Sequence, residues 1–273
     1  METIHLNMSN LAEWQKRARP NVMALGCFDG LHHGHSRVIK TALQKAEEKQ
    51  VSLSVMSFFP HPKTVISKGK VHIHYLMPLE EKEAKLREMG VDTFYIVEFN
   101  QEFAGLSPEE FVTNYLVEFG VVHAVAGFDF SYGCRGAGHL DRLGDDSEGL
   151  IEVTKVAKVE CRGEKVSSTC IRERLLTGNV EELPDFLGQL YEIKCEWDGV
   201  ILRTQPFYTL PAPGRYFVTL KNESSSIQSE LLVKEDLSLL CVKDIPSFMK
   251  GRVSIVWHSR ILEETNKKKL LIS

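Results

Sequence analysis

The sequence predicts an α/β domain built on a mostly parallel sheet, followed by a small antiparallel β-barrel or sandwich. Two observations carry this. Through the first two-thirds of the chain, apolar strand-like runs alternate with segments of helical spacing, the pattern of a sheet covered on both faces. From about Tyr191 only short alternating runs remain, with proline and glycine clustered between them in LPAPGR. The change falls near residues 186–190, which divides the 273 residues into 1–186 and 187–273.

The elements follow in order. NVMALGCF reads as a buried strand. From Ser36 to Lys49, Val38, Ile39, Ala42, Leu43 and Ala46 recur at helical spacing. VSLSVMSFF is the next strand, and PLEEKEAKLREMG is a helix opened by proline and closed by glycine. TFYIVEF is again a strand. SPEEFVTNYLVEFG is a helix with a serine N-cap and an acidic first turn. VVHAVAGFDF and IEVTKVAKVE supply the fourth and fifth strands. After SSTCIRERLLTGNVEELPDFLG come YEIKCEWDGVIL, RYFVTLK, SELLVK, LSLLCVK and RVSIVWHSRIL, all short strands, and ETNKKKLLIS reads as a solvated tail.

Composition narrows the function. With 33 basic and 37 acidic residues the formal net charge is −4, which argues against a general affinity for nucleic acid or anionic membrane. Any phosphate site must be local. The six cysteines show no C-x-x-C pair and no zinc spacing, and read as reduced thiols of a cytoplasmic protein. METIHLNMSNLAEWQKRARP lacks the apolar core of a signal peptide, and no apolar run approaches a membrane span.

The chemistry concentrates in ALGCFDGLHHGHSRVI, Ala24 to Ile39, at the carboxyl end of the first strand, where sheets of this kind bind ligands. Gly26 and Gly30 allow backbone to approach a ligand, and Gly34 lets the helix start pack close to the strand. The first helical N–H groups favour phosphate. His32 and His35, three apart, can aim two imidazoles at the same phosphate oxygens, and an imidazole donates a hydrogen bond whether neutral or protonated. Neither a Walker A loop nor G-x-G-x-x-G is present. KVSSTCIR supplies hydroxyls and N–H groups at a second helix start, with Lys165 before it and Arg172 one turn in, a second anion clamp. Gly127 ends a strand, and Asp129 can hold a nucleotide hydroxyl or close an Asx turn. Phe58 and Phe59, beside Pro60, His61 and Pro62, form either an aromatic wall for a ring or a buried strand end.

GCFDGLHHGH resembles the G-x-F-D-G-x-H-x-G-H signature of H-x-G-H nucleotidyltransferases in the form used by bacterial FAD synthetases, which are FMN adenylyltransferases. MSFFPHP resembles that family's T-F-x-P-H-P loop. VAGFDFSYGCRGAG resembles its V-G-x-[DN]-F-x-F-G-x-x-R-x-G segment, and VSSTCIR its I-S-S-T-x-I-R loop. The resemblance implies a Rossmann-like nucleotidyltransferase domain that transfers AMP from ATP to FMN, with Mg²⁺ assisting, to give FAD and pyrophosphate. It implies catalytic roles for His32, His35, Ser168, Thr169 and Arg172. Nucleotide-binding roles fall on Gly26, Phe28, Asp29, Gly30, Gly34, Gly127, Asp129, Lys165 and Ser167, with Asp29 either touching ligand or organising its loop. Flavin-side roles fall on Phe58, Phe59, Pro60, His61, Pro62 and Arg135. No side chain is expected to ligate a metal, and no protein partner is implied.

The sequence departs from the family in two places. Bifunctional members carry a riboflavin kinase barrel whose signature is G-[FY]-P-T-A-N. Here LYEIKCEWDGVILRTQPFYTLPAPGRYFVTLK passes from a first barrel strand to an L-P-x-x-G-x-Y hairpin without it, and Thr209 in TLP is no substitute. The second domain therefore reads as a kinase-like barrel without kinase activity. Ser131 and Tyr132 stand where the family usually has arginine and phenylalanine, which bears on substrate affinity. Two other readings stay open at this level: an adenylyltransferase for another phosphate-bearing acceptor, and a non-catalytic flavin-nucleotide-binding regulator.

Overall fold

The structure is a computed structural model that describes residues 1–204 and 208–262. The chain divides into two compact units, Met1–Ser168 and Thr169–Ser273. In the first, six strands form one sheet: β1 (Glu2–Leu6), β2 (Asn21–Leu25), β3 (Ser52–Phe59), β4 (Thr93–Glu98), β5 (Val121–Gly127) and β6 (Glu152–Val156). Their order is β1-β4-β3-β2-β5-β6, and every neighbouring pair is parallel.

The sheet is parallel because its strands are apolar on both faces. Along β2, Val22 and Ala24 join one buried cluster with Val38, Ile39, Ala42 and Ala46 of the helix His33–Lys49. Met23 and Leu25 join the other, with Phe111, Tyr115 and Phe119. Each such large side chain, fully buried, stabilises the fold by about 1.5–3 kcal/mol.

The first unit differs from the sequence reading in several places. The N-terminal residues supply the edge strand β1 and the helix Leu11–Arg17; five residues with two buried side chains, Ile4 and Leu6, carry too little periodicity to announce a strand. The second helix begins at His33, so H-x-G-H forms its first turn. Ser107 closes a capping box with Glu110, but the helix from Pro108 widens into a π-helical turn over Thr113–Val117. The expected strand from Ile151 ends at Val156 and is followed by a ribbon pairing Glu160–Cys161 with Glu164–Lys165.

Sheet order fixes the place of the site. β2 has β3 on one side and β5 on the other, so the chain leaves the carboxyl ends of β2 and β5 toward opposite edges and a crevice opens between them.

The second unit holds a closed antiparallel barrel of β7 (Glu192–Trp197), β8 (Leu202–Thr204), β9 (Gly214–Lys221), β10 (Ser226–Val233), β11 (Leu239–Cys241) and β12 (Gly251–Ile261), in the order β7-β8-β11-β10-β9-β12. The run YEIKCEWDGVIL is two strands, because Asp198 turns the chain by accepting from the N–H groups of Val200 and Ile201, each at 2.8 Å. A bulge at Phe217/Val218 bends β9 against β12. Part of the stretch in which the kinase signature was sought, residues 205–207, and the basic tail lie outside the described residues.

Candidate active site

The turn after β2 is built by unusual backbone. Phe28 (φ 49°), Gly30 (φ 83°) and Leu31 (φ 43°) all adopt left-handed conformations within four residues. Non-glycine residues hold such angles only when surroundings enforce them, and here Phe28 and Leu31 are buried. Gly30 suits this position because a side chain would be strained at φ 83° and would crowd Leu76, whose Cδ1 and Cβ lie 2.9 and 3.1 Å from where a Cβ would be. Gly26 and Gly34 leave room for the rings of Phe28 and His32, whose nearest atoms would each stand 3.1 Å from an added Cβ. Their first service is to fit these two rings inside the turn.

His32 is the N-cap of the helix His33–Lys49: its Nδ1 accepts from the His35 N–H at 3.3 Å, which leaves the ring proton on Nε2. The two imidazoles stack, with centroids 3.6 Å apart and planes 16° from parallel, and Phe28 meets His35 edge-on at 5.3 Å. Burial pushes the His32 pKa down to about 4. Burial also holds His35 well below the ordinary histidine value, helped by the neighbouring His32 and Lys82. The pair is neutral near pH 7, two donors without fixed charge. His35 Nδ1 is buried with no hydrogen-bond partner among the described residues, a polar atom that a bound ligand can satisfy.

Asp29 is buried and its carboxylate accepts from the N–H of Leu76 (3.0 and 3.2 Å) and of Met77 (3.2 Å). It organises the loop. The Asp29 carbonyl in turn accepts from Ser168 Oγ at 2.9 Å, which brings the serine-rich motif to the histidine turn. Lys165 pairs with Asp129 and lies 4.7 Å over the Phe128 ring. Gly127 ends β5, with Asp129 Oδ1 3.4 Å from where its Cβ would be. Ser167 is half-buried. Thr169, exposed, and Arg172, half-buried, lie on the helix Ser168–Thr177 but in the second unit.

On the expected flavin side the two phenylalanines part company. Phe58, half-buried, packs against the core cluster with Phe99 and Phe103 at 6.2 and 5.7 Å. Phe59 is 47% exposed and stacks on Tyr75 at 5.9 Å. Tyr75 Oη accepts from the His61 N–H at 3.0 Å, and His61 Nδ1 caps the short helix that Pro62 begins. Pro60 follows Phe59 through a cis bond. Arg135 is exposed, at φ 55°, in the excursion between Ser131 and His139, with no ion pair among the described residues. Ser131 is exposed, and Tyr132 is buried and donates to Asp146 at 2.6 Å.

Lys82 went unnoticed in the sequence. It is only 5% exposed, and its Nζ donates to the Cys27 carbonyl at 2.8 Å, with Ser57 Oγ 3.4 Å away. Ser57 Oγ donates to the same carbonyl at 2.9 Å. Burial lowers the Lys82 pKa and the nearby Asp29 charge opposes the shift. A signal was available: in its helix Lys82 lies three after Leu79 and four before Leu86, on the buried stripe. Tyr75 left no comparable signal.

No group of three or more histidine, cysteine, aspartate or glutamate side chains that could hold a metal occurs among the described residues. No helix among them is long and apolar enough to cross a membrane.

A parallel sheet with a paired-histidine turn at its switch point is the α/β architecture that the H-x-G-H signature led one to expect. A family model described as FAD synthetase matches residues 14–170. A Bacillus subtilis protein named bifunctional riboflavin kinase/FMN adenylyltransferase is 43% identical over 71% of this chain and 61% of its own length. A Listeria monocytogenes protein named FAD synthetase is 33% identical over 79% of this chain and 86% of its own. A solved structure titled macrolide-efflux protein, from Streptococcus pneumoniae, matches with a TM-score of 0.81 at 26% identity, covering 96% of this chain and 100% of that one. This chain belongs to the FAD synthetase family. It spans about three-fifths of the length of the bifunctional relatives at 43% and 44% identity.

Proposed function

We propose that this chain is an FMN adenylyltransferase of FAD biosynthesis, joining AMP from ATP to FMN to give FAD and pyrophosphate. The observation that carries the reading is the meeting of two motifs: the stacked histidine pair opens one helix, and Ser168, opening another, is hydrogen-bonded to the backbone of the same turn. A triphosphate needs such a two-sided grip.

The acceptor brings its own nucleophile. A phosphate oxygen of FMN attacks the α-phosphorus of ATP, the new P–O–P bond forms, and the bond to the β-phosphate oxygen breaks to release pyrophosphate. The protein supplies positioning and hydrogen bonds to developing charge. His32 Nε2–H and His35 donate without first having to shed a proton, and Ser168, Thr169, Arg172 and Lys165 serve the triphosphate from the second motif. Asp29 and Gly30 shape the turn, with Gly26, Phe28 and Gly34 packing it. Gly127, Asp129 and Ser167 complete the nucleotide side. Phe59, Pro60, His61, Pro62 and Arg135 face the flavin side, with Phe58 supporting from the core. Magnesium would arrive with ATP and would supply charge neutralisation on the triphosphate.

We place the functional boundary after residue 186, because the SSTCIR helix serves the first domain's chemistry. The barrel, residues 187–273, performs no riboflavin phosphorylation, the enzyme is cytoplasmic, and it acts on small molecules without nucleic acid, membrane or an obligate protein partner. Two parallel reactions with MgATP, one given FMN and one riboflavin, test all of the chemistry by chromatography. FAD and pyrophosphate are expected from FMN, with riboflavin unchanged. FMN formed from riboflavin overturns the kinase part, and no FAD from FMN overturns the whole.

A further inference from the structure

Beneath the histidine turn lies a buried ammonium to which adenylyl transfer itself assigns no task. Lys82 stands in the first turn of the helix Leu79–Glu88, where its backbone N–H is bound to the Pro78 carbonyl at 3.0 Å. Leu79 and Leu86, on the same stripe of that helix, both pack into the core of the first unit. A leucine or methionine at position 82 would continue the stripe at no electrostatic cost. An ammonium taken out of water loses more than a carbonyl and a hydroxyl repay. The charge therefore needs a use.

What the ammonium holds is one oxygen. Lys82 Nζ donates to the Cys27 carbonyl at 2.8 Å and Ser57 Oγ donates to it at 2.9 Å, so a helix and β3 grip it from two sides. A peptide unit is planar, so fixing the Cys27 carbonyl also fixes the Phe28 N–H and restrains the Phe28 φ. Phe28 holds a left-handed 49°, costly for a bulky residue, and its buried ring meets His35 edge-on at 5.3 Å. His35 in turn stacks on His32. The line from Lys82 to the imidazoles thus runs through one peptide and one ring. The same stretch of chain grips the turn a second time, where the Leu76 and Met77 N–H groups donate to Asp29. The Asp29 charge helps Lys82 keep its proton, and the Lys82 charge acts on His35.

We propose that Lys82 is a positioning residue for adenylyl transfer, the buried cation that holds the Cys27–Phe28 peptide and through it sets the imidazole pair for the phosphates of ATP. The kinetic part rests on the adenylyltransferase reading. Every residue of the line belongs to the first unit. With an apolar side chain at position 82, Ser57 alone holds the Cys27 carbonyl, Phe28 is less restrained and the imidazoles are less well aimed. Because the histidines act on the triphosphate, the loss falls on ATP and not on the acceptor.

The test uses the full chain with Lys82→Met, which keeps the apolar stem and removes the charge. It is read by urea denaturation, amide hydrogen exchange and steady-state kinetics. An apolar group of similar volume in place of a buried charge is neutral or stabilising, so the urea midpoint should stay or rise. The Gly26 N–H donates to the Met56 carbonyl at 3.2 Å and the His35 N–H to His32 Nδ1 at 3.3 Å. Exchange at these two amides is expected to rise about tenfold or more while β1 and β4 keep their protection. The kcat/KM for ATP should fall about tenfold or more, with KM for FMN within about twofold of wild type. A smaller fall overturns the proposal, as does unchanged exchange at the two amides. A lowered midpoint with an equal rise in both KM values also overturns it, because that is the mark of a merely structural lysine. If Lys82→Met fails to fold, Lys82→Gln, which keeps a donor without the charge, is judged by the same criteria. Absence of FAD formation by the wild-type chain would sink the adenylyltransferase reading, while the exchange measurement still decides whether Lys82 holds the turn.

Discussion

The turn after β2 and the barrel bury polar groups to different ends. In the turn, Asp29, His32, Ser57 and Lys82 are all buried within one loop and its supports, and each has a hydrogen-bond partner. The exception is His35 Nδ1, which is buried with no partner among the described residues. In the barrel, the indole nitrogens of Trp197 and Trp257 are buried without a partner among the described residues, scattered along strands that otherwise pack apolar side chains. A buried ammonium and two neutral imidazoles are costly unless something uses them. Trp257 packs edge-on against Tyr216 at 5.3 Å, so its indole N–H is left over from packing a large ring. The difference separates a region built for chemistry from one built for shape.

The comparison breaks first at His35. His35→Ala should slow FAD formation by about 10²–10³-fold, the usual loss for a preorganised donor. A near wild-type rate in a direct chromatographic assay would remove that imidazole from the reaction. The next largest effect is on stability. Asp29→Ala leaves the Leu76 and Met77 N–H groups without their acceptor and should cost about 2–6 kcal/mol, at about 1–3 kcal/mol per group. Urea denaturation measures it, and a change below about 0.5 kcal/mol would show that the loop does not depend on this carboxylate.

Acid sharpens the contrast further. His32 titrates near 4 in the folded protein and near 6.5 when unfolded, so below pH 6.5 the unfolded chain binds the proton first. Stability is full above that value and falls as pH drops toward 4, by about 1 kcal/mol at about pH 5.5 from His32 alone. Thermal melts across this range should show the slope, and His32→Gln should flatten it. The smallest effect lies in the barrel. Trp257→Phe removes an indole N–H that bonds to nothing described and should leave FAD formation within about twofold of wild type. A large loss of rate there would give the barrel interior a part in the chemistry.

The sequence by itself determined what is local. Apolar period two and period 3.6 separated strands from helices, and punctuation by Pro78, Gly90 and Ser107 marked helix ends. G-x-F-D-G-x-H-x-G-H placed a glycine-rich turn and a helix start at the end of a strand, because turn chemistry and helix capping act over a few residues. The two-residue ribbons and the edge strand β1 escaped because so few residues carry no period. Only the tertiary structure decided that β2 is the strand where the sheet's order reverses, which gives its turn a crevice to face. It also decided that Phe58 turns inward and Phe59 outward, that Asp29 spends its carboxylate on backbone 47 residues away, and that Lys82 lies beneath the turn. The neutrality of the histidine pair was settled in the same way. A side chain's charge and facing depend on what packs against it, and those neighbours come from distant parts of the chain.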